Sequence, residues 1–476
     1  MENIDKNVRV GILACVGGFA IGYASYALLN GVRNTRRVER EMQRRKFGEL
    51  LFNDTNMECR DVTTFSDITA LVGSVSDSNT VDCDSTKDYL HFEIMENYPI
   101  IQDNRTLMAK YITPEIYEEY WSIETQMGCT FDQLIQSGID VPNFPNCGFV
   151  AGDAECYDTF RDFIDPILTE KHNGFMRGVH RHWRCLDASQ LSKRCSTLDP
   201  SYVEGVSFTA GRSFLGYRFL SSCNRAERRE IENKLRNVFE NITERNGIDF
   251  SGEYYRIGKN NNELLRNFPA DSPSYWVEKP TAPVYVIAGI TRDWPDARGV
   301  FVSSCPGIFA SVNRDDHLRL FCRQQNADVA QGFARFCSFH AELEERMLDE
   351  DIKFAWHKDY GYLLWYPSVI GTGLKVCISL RLQHLSRNNK LVDVMRRLRL
   401  RFQLSQQPER AQMGWVEIYN GDRLGLTEVQ IVETLVDGAL KLIALEKKLE
   451  NSQTIDQSLP LSKKPHLDGR EDAGRS

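Results

Sequence analysis

Apolar residues recur at helical spacing in the earlier part of the chain and at strand-like spacing in the later part. The change falls close to residue 199. In the earlier part, Thr113-Pro114-Glu115 predicts a helix start, since threonine caps a first turn and proline fits its first position. A second helix is predicted over Asp153–His172, with an interruption near Pro166.

Beyond residue 199, short apolar runs predict β-strands with helices among them. The alternation from Arg399 to Leu404 is typical of a strand with one buried face. A capping box at Asn224 and Glu227 starts one helix, and a longer amphipathic helix runs from Leu426 to about Leu449. The predicted strands are Pro283–Ile290, Val300–Ser304, Ile308–Asn313, Tyr360–Tyr366, Leu374–Leu382, Arg399–Leu404 and Trp415–Tyr419.

These patterns predict an α+β fold in two parts. Residues 89–198 would form a small all-helical N-terminal domain, and residues 199–450 a larger domain of antiparallel sheet flanked by helices. Residues 33–88 combine a basic stretch with a polar linker, and the polar composition of residues 451–476 predicts a disordered tail.

The N-terminal segment has the pattern of a membrane anchor. Residues 10–32 carry no charged side chain, and as a helix they would extend about 35 Å, enough to cross a bilayer. A strongly basic stretch follows, and the positive-inside rule then predicts a cytosolic body. Residues 10–46 would contact membrane lipid, at the mitochondrial outer membrane or the endoplasmic reticulum. A buried glycine-rich helix is the alternative.

Composition and missing motifs argue against several classes of function. The chain has 476 residues and a net charge of −8, which argues against a nucleic-acid partner because such proteins need a basic face. Its 13 cysteines are scattered without a CxxC pair, so reduced thiols are expected in the cytosol. Neither a P-loop nor a dinucleotide-binding glycine motif occurs.

A series of short motifs resembles the ATP:guanidino phosphotransferase, or phosphagen kinase, family, which includes arginine and creatine kinases. The motifs are Lys110-Tyr111-Ile112-Thr113, Asp165-Pro166-Ile167, His172-Asn173-Gly174-Phe175, Gly211-Arg212-Ser213, Trp294-Pro295-Asp296-Ala297-Arg298-Gly299, Asp315-Asp316-His317-Leu318-Arg319-Leu320 and Arg423-Leu424-Gly425-Leu426-Thr427-Glu428. The resemblance implies MgATP and a guanidino compound as substrates in a cleft between the two domains, and it leaves a homo-oligomer open.

The resemblance also implies a set of phosphate-binding arginines, and most of those positions differ in this chain. Two of them correspond to Ser207 and Thr209, and a third falls near Gln403. Arg319 is retained, while Lys375 keeps a positive charge without the two-pronged geometry of a guanidinium. Structural explanations remain open, because Arg319 could pair with Asp315 or Asp316 and Lys375 could face solvent.

The guanidino side of the expected site is altered as well. Asp315 stands where the family has its first guanidino-binding glutamate, although it could instead cap a following helix. Glu409 is a candidate for the second carboxylate, and Tyr366 stands where the family has a reactive cysteine. The sequence therefore predicts a membrane-anchored phosphagen kinase-like protein with weak or absent activity and a binding or scaffold role. The alternative is an active kinase in which Arg319, Lys375, Arg212 and Arg298 share the phosphate contacts.

Overall fold

The computed structural model describes residues 93–142, 147–196, 198–258, 276–405 and 407–461. Of the described residues, those up to Pro280 and those from Val284 onward belong to one compact unit. The predicted anchor (10–32) and linker (33–88) lie outside the described residues. Among the helices that are described, none is both long and apolar enough to cross a membrane.

The earlier part of the body is helical, as predicted. Threonine side chains cap three of its helices: Thr106, Thr113 and Thr130 each accept a hydrogen bond from a backbone N–H of the first turn. The break predicted near Pro166 falls instead at Phe160, and the following helix continues through the proline. These helices are α1 (Leu107–Tyr111), α2 (Pro114–Tyr120), α3 (Phe131–Asp140), α4 (Cys156–Thr159) and α5 (Arg161–Lys171).

The later part contains an eight-stranded antiparallel sheet, which confirms the α+β prediction. Its strands are β1 (Val203–Arg212), β4 (Gly252–Arg256), β5 (Gly299–Ser303), β6 (Ile308–Val312), β7 (Leu318–Gln324), β10 (Leu374–Arg381), β11 (Leu400–Leu404) and β12 (Trp415–Asn420). They lie in the order β11-β12-β10-β1-β7-β6-β5-β4. Two separate strand pairs are β2 (Glu244–Arg245) with β3 (Ile248–Asp249), and β8 (Trp356–His357) with β9 (Gly361–Tyr362).

Helices of the later part are α6 (Arg225–Glu240), α7 (Pro283–Ile287), α8 (Val329–Asp349), α9 (Leu391–Leu398), α10 (Pro408–Gln412) and α11 (Glu428–Glu450). The strand predicted over Pro283–Ile290 was wrong, because α7 occupies its first five residues. An apolar run without alternation cannot distinguish a strand from a helix by its spacing. Of the strand predicted over Tyr360–Tyr366, only β9 forms.

Helices cover one face of the sheet. Phe208 of β1 lies between Phe333 and Phe336 of α8, with ring centroids 5.8 Å apart in both pairs. Further along, α11 packs on β10 and β12, and a Cβ on its Gly438 would come within 2.3 Å of Leu400. Any larger residue at this position would therefore force the Leu400 side chain to move. The opposite face of the sheet contains most of the residues singled out by the sequence.

The start of the predicted tail is ordered. After α11, the chain forms a 3₁₀ turn over Asp456–Ser458, and Ile455 beside it is buried in the main core. The side chain of Lys448 donates to the Ser458 hydroxyl at 2.5 Å. The disorder prediction therefore does not hold for residues 451–461, because one apolar residue docks there on the body. The remaining residues lie outside the described part of the chain.

Candidate functional site

Strand register brings the predicted phosphate-binding positions onto one face of the sheet. Thr209 of β1 pairs directly with Lys375 of β10, while Gly211 pairs with Arg319 of β7. Directly paired residues point to the same side of a sheet, as do residues two apart along one strand. Ser207, Thr209, Arg319 and Lys375 therefore share the open face, whereas Phe208 points into the core.

Gln403 lies on the same face but in a more distant row. It pairs with Glu417 of β12, which in turn pairs with Ser379 of β10. Lys375 is closer to the centre, and its ammonium lies 4.3 Å from the ring centroid of Tyr419. The open face thus carries uncharged side chains at Ser207, Thr209 and Gln403, as the sequence indicated.

Asp315 and Asp316 lie in the turn between β6 and β7, where both are buried and both bind arginine. The Arg314 guanidinium donates to the two Asp315 oxygens at 2.7 Å each. Arg319 donates to Asp315 as well, and to Asp316 at 2.8 Å. We call Arg314, Asp315, Asp316 and Arg319 the arginine–aspartate cluster; it combines two positive and two negative side chains at no net charge.

This cluster decides two structural alternatives that the sequence left open. Arg319 does pair with Asp315 and Asp316, so its interpretation as an ion-pair partner is confirmed. Asp315 does not cap a helix, since β7 follows it. A Cβ on Gly211 would come within 2.4 Å of an Asp316 carboxylate oxygen, so the close approach of β1 to this carboxylate requires glycine.

The titration of nearby groups reflects this arrangement. Burial would lower the pKa of Arg319, but the adjacent carboxylates outweigh burial and hold that pKa above its ordinary value. Burial raises the pKa of Asp316, although Arg319 opposes the shift. The negative charge of Asp315, together with burial, raises the pKa of Tyr285 to about 12. Arg319 is therefore a permanent cation whose charge is already compensated.

Tyr366 occupies the position that the resemblance assigns to a reactive cysteine. It precedes Pro367, and burial raises the pKa of its hydroxyl. The helical part contributes a thiol close to this segment: the Cys147 sulfur lies 3.4 Å from the hydroxyl of Ser368, two residues after Tyr366. Burial raises the pKa of Cys147, so this thiol is protonated at neutral pH. All ten cysteines that the structure describes are free, as expected for reduced thiols.

Arg212 and Arg298 are structural residues and do not contact the open face. Both are fully buried, and their guanidinium groups donate to backbone carbonyls. Arg212 donates to the carbonyls of Gly211 and Thr372 at 2.7 and 3.0 Å, and Arg298 to that of Ile290 at 2.7 Å. The alternative in which they share phosphate contacts is therefore unsupported. Arg212 also donates to His340 Nε2 at 3.2 Å, and neither arginine forms an ion pair with a described side chain.

Glu409 lies apart from the other candidates. It is exposed on α10, and the structure records no contact between its carboxylate and another described side chain. Its neighbour Arg410 instead pairs with Glu204 of β1 at 2.6 Å. The site therefore contains one buried carboxylate pair, Asp315 and Asp316.

Two arginines near the open face were not among the predicted site residues. Arg401 pairs with Tyr419, which pairs with Cys377 opposite Ser207, so Arg401 is level with Ser207 in the sheet. Arg423 follows β12 and donates to the Leu374 carbonyl at 3.0 Å. Arg401 belongs to the alternating run of β11, where a solvent-facing role was the simplest interpretation. Only the strand register places it beside the candidate site.

Comparison with known proteins agrees with this architecture. The N-terminal domain of the ATP:guanido phosphotransferases matches residues 102–169, and their C-terminal catalytic domain matches residues 230–449. The chain is 35% identical over 378 residues to creatine kinase M-type of Canis lupus familiaris, covering 79% of this chain and 97% of that enzyme. The chain belongs to the ATP:guanidino phosphotransferase family. Creatine kinase M-type of Homo sapiens is 34% identical over the same shares of the two chains.

Solved structures of this phosphagen kinase family share the fold. A crystal structure of lombricine kinase superposes with a TM-score of 0.72 at 30% identity, covering 78% of this chain and all of that one. The duplicated taurocyamine kinase from Schistosoma mansoni gives a TM-score of 0.63 at 23% identity, covering 76% of this chain and 50% of that one. The second likeness concerns the fold alone.

Proposed function

We propose that this chain is a membrane-anchored phosphagen kinase-like protein with weak or absent phosphotransferase activity, acting as a binding or scaffold protein. The observation that carries the proposal is the arginine–aspartate cluster. Asp315, the expected guanidino-binding carboxylate, already binds a guanidinium from its own chain through two 2.7 Å contacts with Arg314. The side chain of Arg314 thus makes the bonds that a guanidino substrate would make.

The cost of breaking a buried ion pair favours Arg314 over a substrate guanidinium at Asp315. A substrate guanidinium could reach Asp315 only after Arg314 moved away, and breaking a buried ion pair costs about 3–5 kcal/mol. The incoming group would regain similar bonds, so binding gains little at this carboxylate. On the side of Tyr366 that faces α3 and α7, the space is small: the cavity there measures about 20 Å³ and is lined mainly by apolar groups. That volume holds about one water molecule.

The phosphate side supports the same proposal. The residues Ser207, Thr209 and Gln403 offer no charge, and each charge-assisted hydrogen bond lost removes about 1.5–3 kcal/mol. Arg319 is compensated by two carboxylates, so Lys375 is the candidate on the open face whose charge is not already paired. A triphosphate with its magnesium ion therefore fits poorly. The loss in the transition state is larger still, because one well-placed arginine can contribute about 10³–10⁵ in rate.

One observation favours the alternative of an active kinase. Arg319 keeps a side-chain exposure of 25%, and both it and Lys375 point to the open face. If the carboxylates released Arg319 on nucleotide binding, the two cations could contact the phosphates of MgATP. The guanidino group would then replace Arg314 at Asp315.

A coupled assay of MgATP turnover separates the two functions. The full chain would be tested with arginine, creatine, taurocyamine and lombricine, and we expect no turnover above the uncatalysed background. Lys375→Ala serves as the diagnostic variant, and Arg381→Ala removes an exposed cation from the far end of β10 as its control. Turnover that disappears in Lys375→Ala but persists in Arg381→Ala would establish the active kinase instead.

The remaining parts of the proposal concern location and assembly. Residues 10–32 are proposed to span the mitochondrial outer membrane or the endoplasmic reticulum, with the body in the cytosol and residues 10–46 in contact with lipid. The basic residues after the span support this orientation. A homo-oligomer is proposed by analogy with the family, and a nucleic-acid partner is disfavoured by the net charge of −8.

A further inference from the structure

A cavity of about 810 Å³ lies where the end of α5 meets β11, β12 and the end of α9. We call it the β11–β12 pocket. Tyr366 and Tyr419 form part of its wall, whereas Lys375 and Arg319 do not line it. Its charged lining consists of five cationic side chains and one carboxylate: Lys171, Arg396, Arg399, Arg401, Arg423 and Asp422. The pocket is thus strongly basic in a protein whose net charge is −8.

The single carboxylate of the pocket is already occupied. Arg399 donates to both Asp422 oxygens at 2.6 and 2.8 Å, and the Asn173 amide donates to one of them at 2.9 Å. Outside the lining, Asp393 pairs with Arg396. Lys171, Arg401 and Arg423 remain, and the part of the chain that the structure describes contains no acidic side chain paired with any of the three.

Arg423 is held in position by a backbone carbonyl and forms no ion pair with a described side chain. Its Nε donates to the Leu374 carbonyl at 3.0 Å, and its two terminal nitrogens have no hydrogen-bond partner among the described residues. Burial, together with the positive charges of Arg401 and Arg319, lowers the pKa of Arg423 to about 10. An uncompensated cation of this kind is costly unless an anion binds beside it.

His172 in the pocket wall adds no charge at neutral pH. Its Nε2 lies 3.0 Å from the Pro367 carbonyl, and burial lowers the pKa of the ring to about 4. The neutral ring donates to that carbonyl and fixes the end of α5 against the sheet domain. Lys171, the last residue of α5, precedes His172 and lines the same pocket.

We propose that the β11–β12 pocket binds a phosphate-bearing anion of about diphosphate size through Lys171, Arg401 and Arg423. Two guanidinium groups and an ammonium suit phosphate oxygens, because guanidinium forms paired donors and ammonium supplies a compact charge. The anion could be a free diphosphate or the phosphate chain of a nucleotide, which present the same chemistry. This proposal goes beyond the proposed function, since it requires neither Lys375 nor phosphoryl transfer.

Titration calorimetry of the full chain with pyrophosphate tests the proposal. We expect saturable 1:1 binding that weakens as salt is raised. Arg401→Ala and Lys171→Ala should each raise the dissociation constant about tenfold, the loss expected for one charge-assisted hydrogen bond. Both side chains are at least partly exposed, so the variants should fold. Arg381→Ala, which removes an exposed cation distant from the pocket, should bind like the wild type.

Two results would overturn the proposal. One is the absence of pyrophosphate binding by the wild-type chain at low salt. The other is a loss in Lys375→Ala with no loss in Arg401→Ala or Lys171→Ala, which would place the anion on the open face instead. A parallel titration with ADP identifies the source: tighter binding than pyrophosphate indicates a nucleotide, and equal binding indicates a free phosphate chain. Because these measurements record binding, they are independent of whether turnover occurs.

Discussion

At the scale of single residues, charge compensation distinguishes this protein's site. Arg314 and Arg319 satisfy the two buried carboxylates of the turn after β6, so the cluster needs no external cation. The sequence placed Asp315 and Arg319 in the site but allowed for both a substrate role and mutual pairing. The distances select pairing, because both aspartates are buried and a buried carboxylate without a partner is strongly unfavourable.

The buried ring of His317, in the same turn, should make the free energy of unfolding depend on pH. Its Nδ1 accepts from the Phe214 N–H at 3.1 Å, and its Nε2 donates to the Arg218 carbonyl at 2.9 Å. Only the neutral ring can form both bonds, and burial lowers its pKa to about 4. As pH falls below about 6.5, the unfolded chain gains this proton before the folded chain does. Stability should therefore fall as pH falls.

Urea unfolding at pH 6.5 and pH 5 measures this effect. His317 should contribute about 1.5 kcal/mol to the loss of unfolding free energy over that interval. In His317→Gln, which keeps a donor and an acceptor but does not titrate there, the loss should be smaller by that amount. An identical pH dependence in wild type and His317→Gln would contradict the prediction.

At the scale of elements, caps and alternation were recognised more reliably than unpatterned apolar runs. The helix starts at Thr113 and Asn224 were confirmed, because capping depends on residues within one turn. The run from Pro283 formed α7 in place of a strand, since its length and composition suit both. Strands β1 and β7 were not predicted, although they are central in the sheet.

The capping box of α6 yields a stability prediction. The Asn224 side chain accepts a hydrogen bond from the Glu227 N–H at 2.9 Å, and the Glu227 carboxylate accepts one from the Asn224 N–H at 2.8 Å. Asn224→Ala should lower the free energy of unfolding by about 1 kcal/mol. Chemical denaturation measures the change, with Arg236→Ala on the same helix as a control that should shift stability by less than about 0.5 kcal/mol. Equal losses in both variants would show that the cap contributes nothing specific.

At the scale of the whole molecule, the helical and sheet parts form one body and share a core. The Tyr157 hydroxyl donates to the Leu364 carbonyl at 2.7 Å, and the Ala151 N–H donates to the Trp365 carbonyl at 2.9 Å. Buried side chains from both parts belong to the same hydrophobic cluster. The β11–β12 pocket depends on this association, because Lys171 comes from the helical part and Arg401 from the sheet.

The proposed anchor gives a prediction for the complete chain. Expressed in cells, the full protein should remain in the membrane pellet after an alkaline carbonate wash, because a spanning apolar helix is not released by charge or pH. A chain lacking residues 1–46 should appear in the supernatant with the same thermal unfolding transition. Replacing the seven basic residues at positions 33–46 with glutamine is the control, which should alter orientation but not retention. Retention of the shortened chain in the pellet would contradict the anchor.

The sequence by itself determined the family, the α+β class, several helix starts and the uncharged side chains at Ser207, Thr209 and Gln403, because these depend on residue identity and short-range order. Only the tertiary structure decided that Arg314 forms an ion pair with Asp315 and that Arg212 and Arg298 donate to backbone carbonyls. It also decided that Arg401 is level with Ser207 in the sheet. Strand register and the packing of distant segments set these contacts. They arise between positions far apart in the chain, where spacing along the sequence carries no information about which side chains meet.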